Sequence, residues 1–238
     1  MLRGDVRLQT TRWRVSLGRA PSGVPVSVPV SQINLIVAGG TGSGKSFATG
    51  LIAEQLVQLG YVVCVLDPEG DHAPLANLPS VVTLGGRDRL PVAEDVARVF
   101  EQSGTSVVID LSLVTPQARE EWMRHALPFL ERRRAEVGVP HWLIIDEAHV
   151  PLGKGRGAHC FSSQWKGHCI VTYQTEQLAE LVLEDVDYVL LVAGKHGIDP
   201  RRTSAVCCAL GVSTEVLRPH LDGIGFGEAL LVRGGRRP

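Results

Sequence analysis

The run Gly39-Gly40-Thr41-Gly42-Ser43-Gly44-Lys45-Ser46 satisfies G-x-x-x-x-G-K-[ST] at every fixed position. The apolar stretch Ile33-Asn34-Leu35-Ile36-Val37-Ala38 leads into it, and a helical pattern over 47–59 leads out. Strand, glycine loop and helix in that order distinguish a phosphate-cradling P-loop from an ordinary glycine turn. The glycines let the backbone curl so that successive N–H groups face phosphate oxygens, and the helix beginning near Gly44 adds the positive end of its dipole. On this reading Gly39, Gly40, Thr41, Gly42, Ser43, Gly44, Lys45, Ser46 and the adjoining Phe47 hold a nucleotide. Lys45 reaches the β- and γ-phosphates, and the Ser46 hydroxyl binds Mg²⁺.

A P-loop indicates nucleotide binding; hydrolysis needs a second element. His141-Trp142-Leu143-Ile144-Ile145-Asp146-Glu147 is an apolar run ending in two acids. It predicts a buried parallel strand that delivers carboxylates to its C-terminal edge, where open α/β sheets bind ligands. Asp146 is expected to hold Mg²⁺ through water, and Glu147 to polarise the attacking water as a general base. Thr172-Tyr173-Gln174 ends the strand that follows, which makes Gln174 a candidate sensor of the γ-phosphate. Asp67-Pro68-Glu69-Gly70-Asp71 closes another strand at the same edge, either as a polar turn or with acids turned toward the metal, the water or a neighbouring subunit.

The 238 residues, 44% of them apolar, suffice for one large α/β core. The net charge of −1 selects no partner, and a local basic stripe on a neutral chain still suffices to bind DNA. No apolar run approaches a membrane span, and the first residues lack a signal-peptide core. Cys64 and Cys169 fall in strand-like runs, as reduced buried thiols of a cytoplasmic protein do. His159-Cys160 and His168-Cys169 do not have the spacing of a zinc site, and Cys207-Cys208 reads as helix packing.

Working outward, residues 1–30 read as a short β appendage: Val6-Arg7-Leu8, a strand over 13–17, and a segment over 24–30 whose Pro25 and Pro29 suit an edge or loop. Residues 31–238 then read as the nucleotide-binding domain. Strands are expected over 33–38, 61–67, 80–84, 105–111, 141–147, 168–173, 187–192 and 227–232. Helices are expected over 45–59 and 91–103, from Thr115 to about Glu136 with a break or kink at Pro128, from about Thr175, and as two short ones before the last strand. The alternation predicts a doubly wound, mainly parallel α/β sheet, a RecA-like P-loop NTPase of the ASCE type. Basic clusters lie at Arg132-Arg133-Arg134, Lys154-Gly155-Arg156, Arg201-Arg202 and Arg233 to Arg237; Lys154-Gly155-Arg156, in a glycine-rich loop over 151–157, is the best candidate for DNA contact.

Asp146-Glu147-Ala148-His149 also spells DEAH, but an RNA helicase of that class needs two RecA-like lobes and only one fits here. A nucleotide kinase is disfavoured because no lid or acceptor site is readable. The P-loop, Asp67-Pro68-Glu69-Gly70-Asp71, Ile145-Asp146-Glu147-Ala148-His149 and Thr172-Tyr173-Gln174 together resemble the HerA/FtsK superfamily of motor ATPases, over about residues 24–232. The later runs Asp187-Tyr188-Val189-Leu190-Leu191 and Gly227-Glu228-Ala229-Leu230-Leu231 are also similar to HerA-type and conjugation-type ATPases. The resemblance implies a homo-oligomeric ring, often a hexamer, that threads double-stranded DNA and hydrolyses ATP with Mg²⁺ between subunits. Under it Lys45 and Ser46 bind phosphate and metal, Asp146 coordinates, Glu147 catalyses and Gln174 senses.

The chain departs from that pattern in three places. Members carry an arginine just before the sensor strand, whereas this chain reads Ser162-Ser163-Gln164-Trp165-Lys166-Gly167, with Lys166 as the nearest substitute and without arginine's planar fork. Thirty residues are too few for the N-terminal β-barrel of HerA, so docking to a nuclease partner is not implied. Membrane segments and a DNA-reading winged helix of the FtsK kind are not readable. A nucleotide-dependent switch or assembly ATPase with weak turnover therefore stands beside the DNA motor.

Overall fold

The computed structural model describes residues 13–155 and 160–234. The expected strand at Val6-Arg7-Leu8, together with Arg156, His159, Arg236 and Arg237, lies outside these residues. So do the side chains of Arg201, Arg202 and Cys208.

Two strands, β1 (Arg14–Arg19) and β2 (Pro25–Pro29), pair antiparallel in a small sheet of their own, where the prolines of β2 interrupt no central ladder. Eight more strands form the main sheet: β3 (Leu35–Gly39), β4 (Val63–Asp67), β5 (Val81–Gly85), β6 (Ser106–Asp110), β7 (Trp142–Ile145), β8 (His168–Thr172), β9 (Tyr188–Val192) and β10 (Ala229–Arg233). Their order is β10-β9-β3-β8-β7-β4-β6-β5, and every pairing is parallel except β10 with β9. The doubly wound, mainly parallel sheet read from the sequence is thus the fold. β8 lies between β3, which ends in the glycine loop, and β7, which ends in the acids.

Strand side chains alternate between two cores. Leu35, Val37, Val63, Val65, Ile144 and Val171 face helix α1 (Lys45–Gln58), meeting its Ile52, Ala53 and Leu56, with Val15 and Val28 of the small sheet closing that layer. Ile36, Leu66, Ile109, Leu143, Ile145 and Ile170 face the other way. There they pack against α2 (Ala93–Phe100), α3 (Pro116–Val137), α4 (Glu180–Glu184), α5 (Pro200–Ala209) and α6 (Thr214–Leu221). Strands buried on both faces need apolar residues at every position, which is why these runs show no polar alternation. Cys64, Cys160 and Cys169 are buried free thiols, and burial pushes the thiols of Cys64 and Cys169 well above their usual range.

Two expectations are corrected. Helix α3 does not break at Pro128; it runs unbroken from the Thr115 cap, whose Oγ1 accepts the Ala118 amide, to Gly138. An interior proline costs about 3 kcal/mol. Met123, Leu127 and Leu130 around it are fully buried, each stabilising by about 1.5–3 kcal/mol, so tertiary burial outweighs the lost hydrogen bond. Nor does one helix start at Thr175. A single 3₁₀ turn, Thr175–Gln177, is followed by extended Leu178 and Ala179 before α4. Their backbone pairs with the loop after β7 instead: Lys154 N donates to Gln177 O at 2.8 Å and Ala179 N to Leu152 O at 2.9 Å.

Candidate nucleotide site

The glycine loop leaves β3 and turns directly into α1. Gly44, at φ 97°, supplies the left-handed residue at the helix start, which costs any L-side chain more than glycine. Gly39 is needed for a second reason. A Cβ there would meet Ser43 Oγ at 2.5 Å and Val192 O at 2.6 Å, so the loop lies flat on the end of β9. Lys45 is buried, its Nζ donating to Gly40 O at 3.1 Å and standing 5.9 Å from the centre of the Tyr173 ring. Ser46 is partly buried and Phe47 is exposed at the rim.

Asp146 follows β7 and is buried. Its Oδ1 accepts the Glu147 amide at 2.8 Å, and its Oδ2 lies 3.2 Å from His72 Nε2. Glu147 has φ 49°, a left-handed conformation that costs a non-glycine residue about 1–3 kcal/mol and is kept where surrounding structure over-determines it. Burial and the neighbouring Asp146 charge, partly offset by Lys45, raise the Glu147 carboxyl to about 7. Two adjacent acids are thereby set apart: one pinned by hydrogen bonds, the other poised as a proton acceptor near neutrality.

Gln174 ends the intervening strand, partly buried, with its amide donating to Thr172 Oγ1 at 2.9 Å. β8 therefore brings the three expected groups, Lys45, Glu147 and Gln174, to one edge of the sheet. Ser46 and Asp146 offer hard oxygen donors of the kind Mg²⁺ takes, and because His72 already occupies Asp146 Oδ2, water-mediated binding suits this carboxylate.

Of the acids that close β4, Asp67 anchors a turn, while the charges of Glu69 and Asp71 reach Glu147 and help raise its carboxyl. Asp67 is fully buried and accepts the amides of Gly70, Asp71 and His72 at 2.8, 3.1 and 2.8 Å, so its carboxylate is spent on its own loop. Glu69 is exposed and pairs with Arg119 at 3.5 Å. His72, one residue beyond the stretch singled out in the sequence, was missed. Burial works against its charge, but the hydrogen bond to Asp146 and the charges of Asp67 and Asp146 raise its pKa. The ligand atoms of Asp67, His72 and Asp146 lie within 4.8 Å of one another. With all of Asp67 used by backbone amides, the trio reads as a clamp holding the β4 loop to the acid strand.

Lys166 does not stand free. It precedes β8, at the sheet edge opposite the glycine loop, and its Nζ contacts Asp185 at 2.7 Å and Asp187 at 3.1 Å. Burial alone would lower its pKa, but these two carboxylates raise it. A lysine neutralised twice over is a poor substitute for a mobile arginine finger.

Residues 15–128 match the family described as Helicase HerA, central domain. That span contains the glycine loop and the β4 loop and stops short of the acid strand. No curated protein matches the chain by sequence. Among solved structures, VirB4 of Thermoanaerobacter pseudethanolicus is 13% identical with a TM-score of 0.64, over 93% of this chain and 94% of that one. The cytoplasmic domain of the type VII secretion ATPase EccC of Thermomonospora curvata is 14% identical with a TM-score of 0.60, over 96% of this chain and 28% of that one. The genome packaging NTPase B204 of Sulfolobus turreted icosahedral virus 2, in complex with AMPPCP, is 13% identical with a TM-score of 0.56, over 85% and 92%. Among the described residues no helix is long and apolar enough to cross a membrane. The chain thus matches the HerA central domain over part of its length and shares the fold of these ATPases.

Proposed function

We propose that the chain is an ATP-hydrolysing motor domain of the HerA/FtsK type, cytoplasmic, acting on double-stranded DNA as a homo-oligomeric ring. The observation that carries the hydrolytic part is the common edge: Lys45 on one side of β8, Asp146 and Glu147 on the other, and Gln174 at its tip. The DNA and ring parts rest on the resemblance and on the genome-packaging neighbour.

In the mechanism, the glycine loop amides and Lys45 hold the phosphate chain, and Phe47 flanks the nucleotide at the rim. Ser46 and Asp146 would hold Mg²⁺, which would supply neutralisation of phosphate charge. Glu147 takes a proton from water as the water oxygen bonds to the γ-phosphorus, the bond from that phosphorus to the ADP oxygen breaks and ADP leaves, with Gln174 at the γ-phosphate.

The acid–base assignment predicts a pH profile. A general base works ionised, and a carboxyl raised to about 7 loses its charge as pH falls through 7 rather than through the ordinary carboxylate range. kcat/KM, which reports the free enzyme, should rise about tenfold per pH unit below 7 and level off above it. A flat profile between about pH 5.5 and 8 removes Glu147 from that role.

One observation favours the alternative of a slow switch or assembly ATPase. The arginine expected before β8 is missing, and Lys166 is held by Asp185 and Asp187. A missing finger costs about 10³–10⁵ in rate. Steady-state ATPase with and without double-stranded DNA, with the mass in solution read alongside, separates the two. Stimulation by DNA with a ring-sized mass supports the motor; negligible turnover by a monomer that still binds ATP supports the switch.

A further inference from the structure

Thr172, the last residue of β8, is fully buried and hydrogen-bonds in two directions. Its Oγ1 accepts the Gln174 amide at 2.9 Å and lies 3.2 Å from Nδ1 of His149. The same Nδ1 stands 3.4 Å from Oε2 of Glu147. A short polar chain therefore runs from the candidate sensor to the candidate base: Gln174 N, Thr172 Oγ1, His149 Nδ1, Glu147 Oε2. The imidazole is held in plane by Tyr173, which meets it edge-on with ring centres 4.7 Å apart and 73° between planes. Tyr173 also lies beneath Lys45 Nζ, so this neighbour of the imidazole belongs to the nucleotide edge.

The Thr172 hydroxyl can donate to Nδ1 or accept from it, whereas the Glu147 carboxylate can only accept, so it is the tautomer protonated at Nδ1 that grips Glu147. A carboxylate on a four-bond side chain samples several rotamers unless something fixes it, and His149 is the group placed to do so. We propose that His149 is a positioning residue that orients the Glu147 carboxylate and ties its orientation, through Thr172, to the segment carrying Gln174. The proposal rests on Glu147 being the base.

The test is steady-state ATPase of the full chain for His149→Ala, His149→Asn, Thr172→Val, the Ala/Val double variant and Glu147→Gln, each checked for an unchanged melting transition. An asparagine amide nitrogen falls near the place of Nδ1. The expected result is a fall in kcat of about 10–100-fold in His149→Ala and Thr172→Val, since misplacing a reacting group by about 1 Å costs up to about 10²-fold. The nucleotide KM should stay within about twofold, His149→Asn should recover part of the rate, and the double variant should be no slower than the worse single one. A wild-type kcat in His149→Ala, or strictly additive losses in the double variant, overturns the link while leaving the base in place. Wild-type turnover in Glu147→Gln overturns the base itself, and the link with it.

Discussion

Lys45→Ala should lose tight nucleotide binding and, with it, turnover. The side chain is buried at the start of α1 and folds back onto Gly40 O at 3.1 Å, so its ammonium is held within the loop rather than spread into solvent. A charged hydrogen bond to a phosphate oxygen contributes about 1.5–3 kcal/mol, so ATP affinity should fall about 10–100-fold. Removing a donor aimed at developing charge costs a further 10²–10³ or so in rate. Calorimetric titration with ATP and a turnover assay read the two effects separately. Wild-type affinity in this variant would show that the loop does not hold phosphate through Lys45.

Glu147→Gln should behave differently: ATP still binds and hydrolysis stops. Glutamine keeps the shape and the strained backbone of the residue but cannot take a proton. The loss expected for a general base is about 10²–10⁴ in kcat, with the nucleotide KM nearly unchanged. The contrast between the variants is the informative result. A binding defect in Glu147→Gln would mean that the carboxylate helps build the pocket rather than acting on water.

Where the sequence was readable, one stretch of chain carried its own explanation. The glycine loop, the strands buried on both faces and the Thr115 cap each depend on neighbours within a few residues, so pattern and structure agree. His72 against Asp146 joins positions 74 residues apart, and the only sequence hint was that His72 directly follows Asp67-Pro68-Glu69-Gly70-Asp71. Lys166 reads in the sequence as the nearest substitute for the missing arginine; Asp185 and Asp187, which hold it, lie about twenty residues on, and nothing local foretells that pairing. Pro128 misled for the opposite reason: its local penalty is real, and the burial of Leu127 and Leu130 that overrides it is tertiary. His149 stood in plain view within Asp146-Glu147-Ala148-His149, but its partner Thr172 arrives only with β8.

The place of β8 also bears on tempo. It is laddered to β3 through Ile36↔Ile170 and to β7 through Ile144↔Cys169, parallel on both sides. A slip of one residue would turn every one of its side chains onto the wrong face, so the strand is locked in register. News passing between the phosphate loop and the acids therefore travels as local side-chain rotations, which run faster than collective motions of whole elements. A catalytic cycle typically takes milliseconds or longer. Within one subunit the message arrives almost at once, and the clock of the cycle is set by slower events outside the sheet, such as product release or the movement of one subunit against the next.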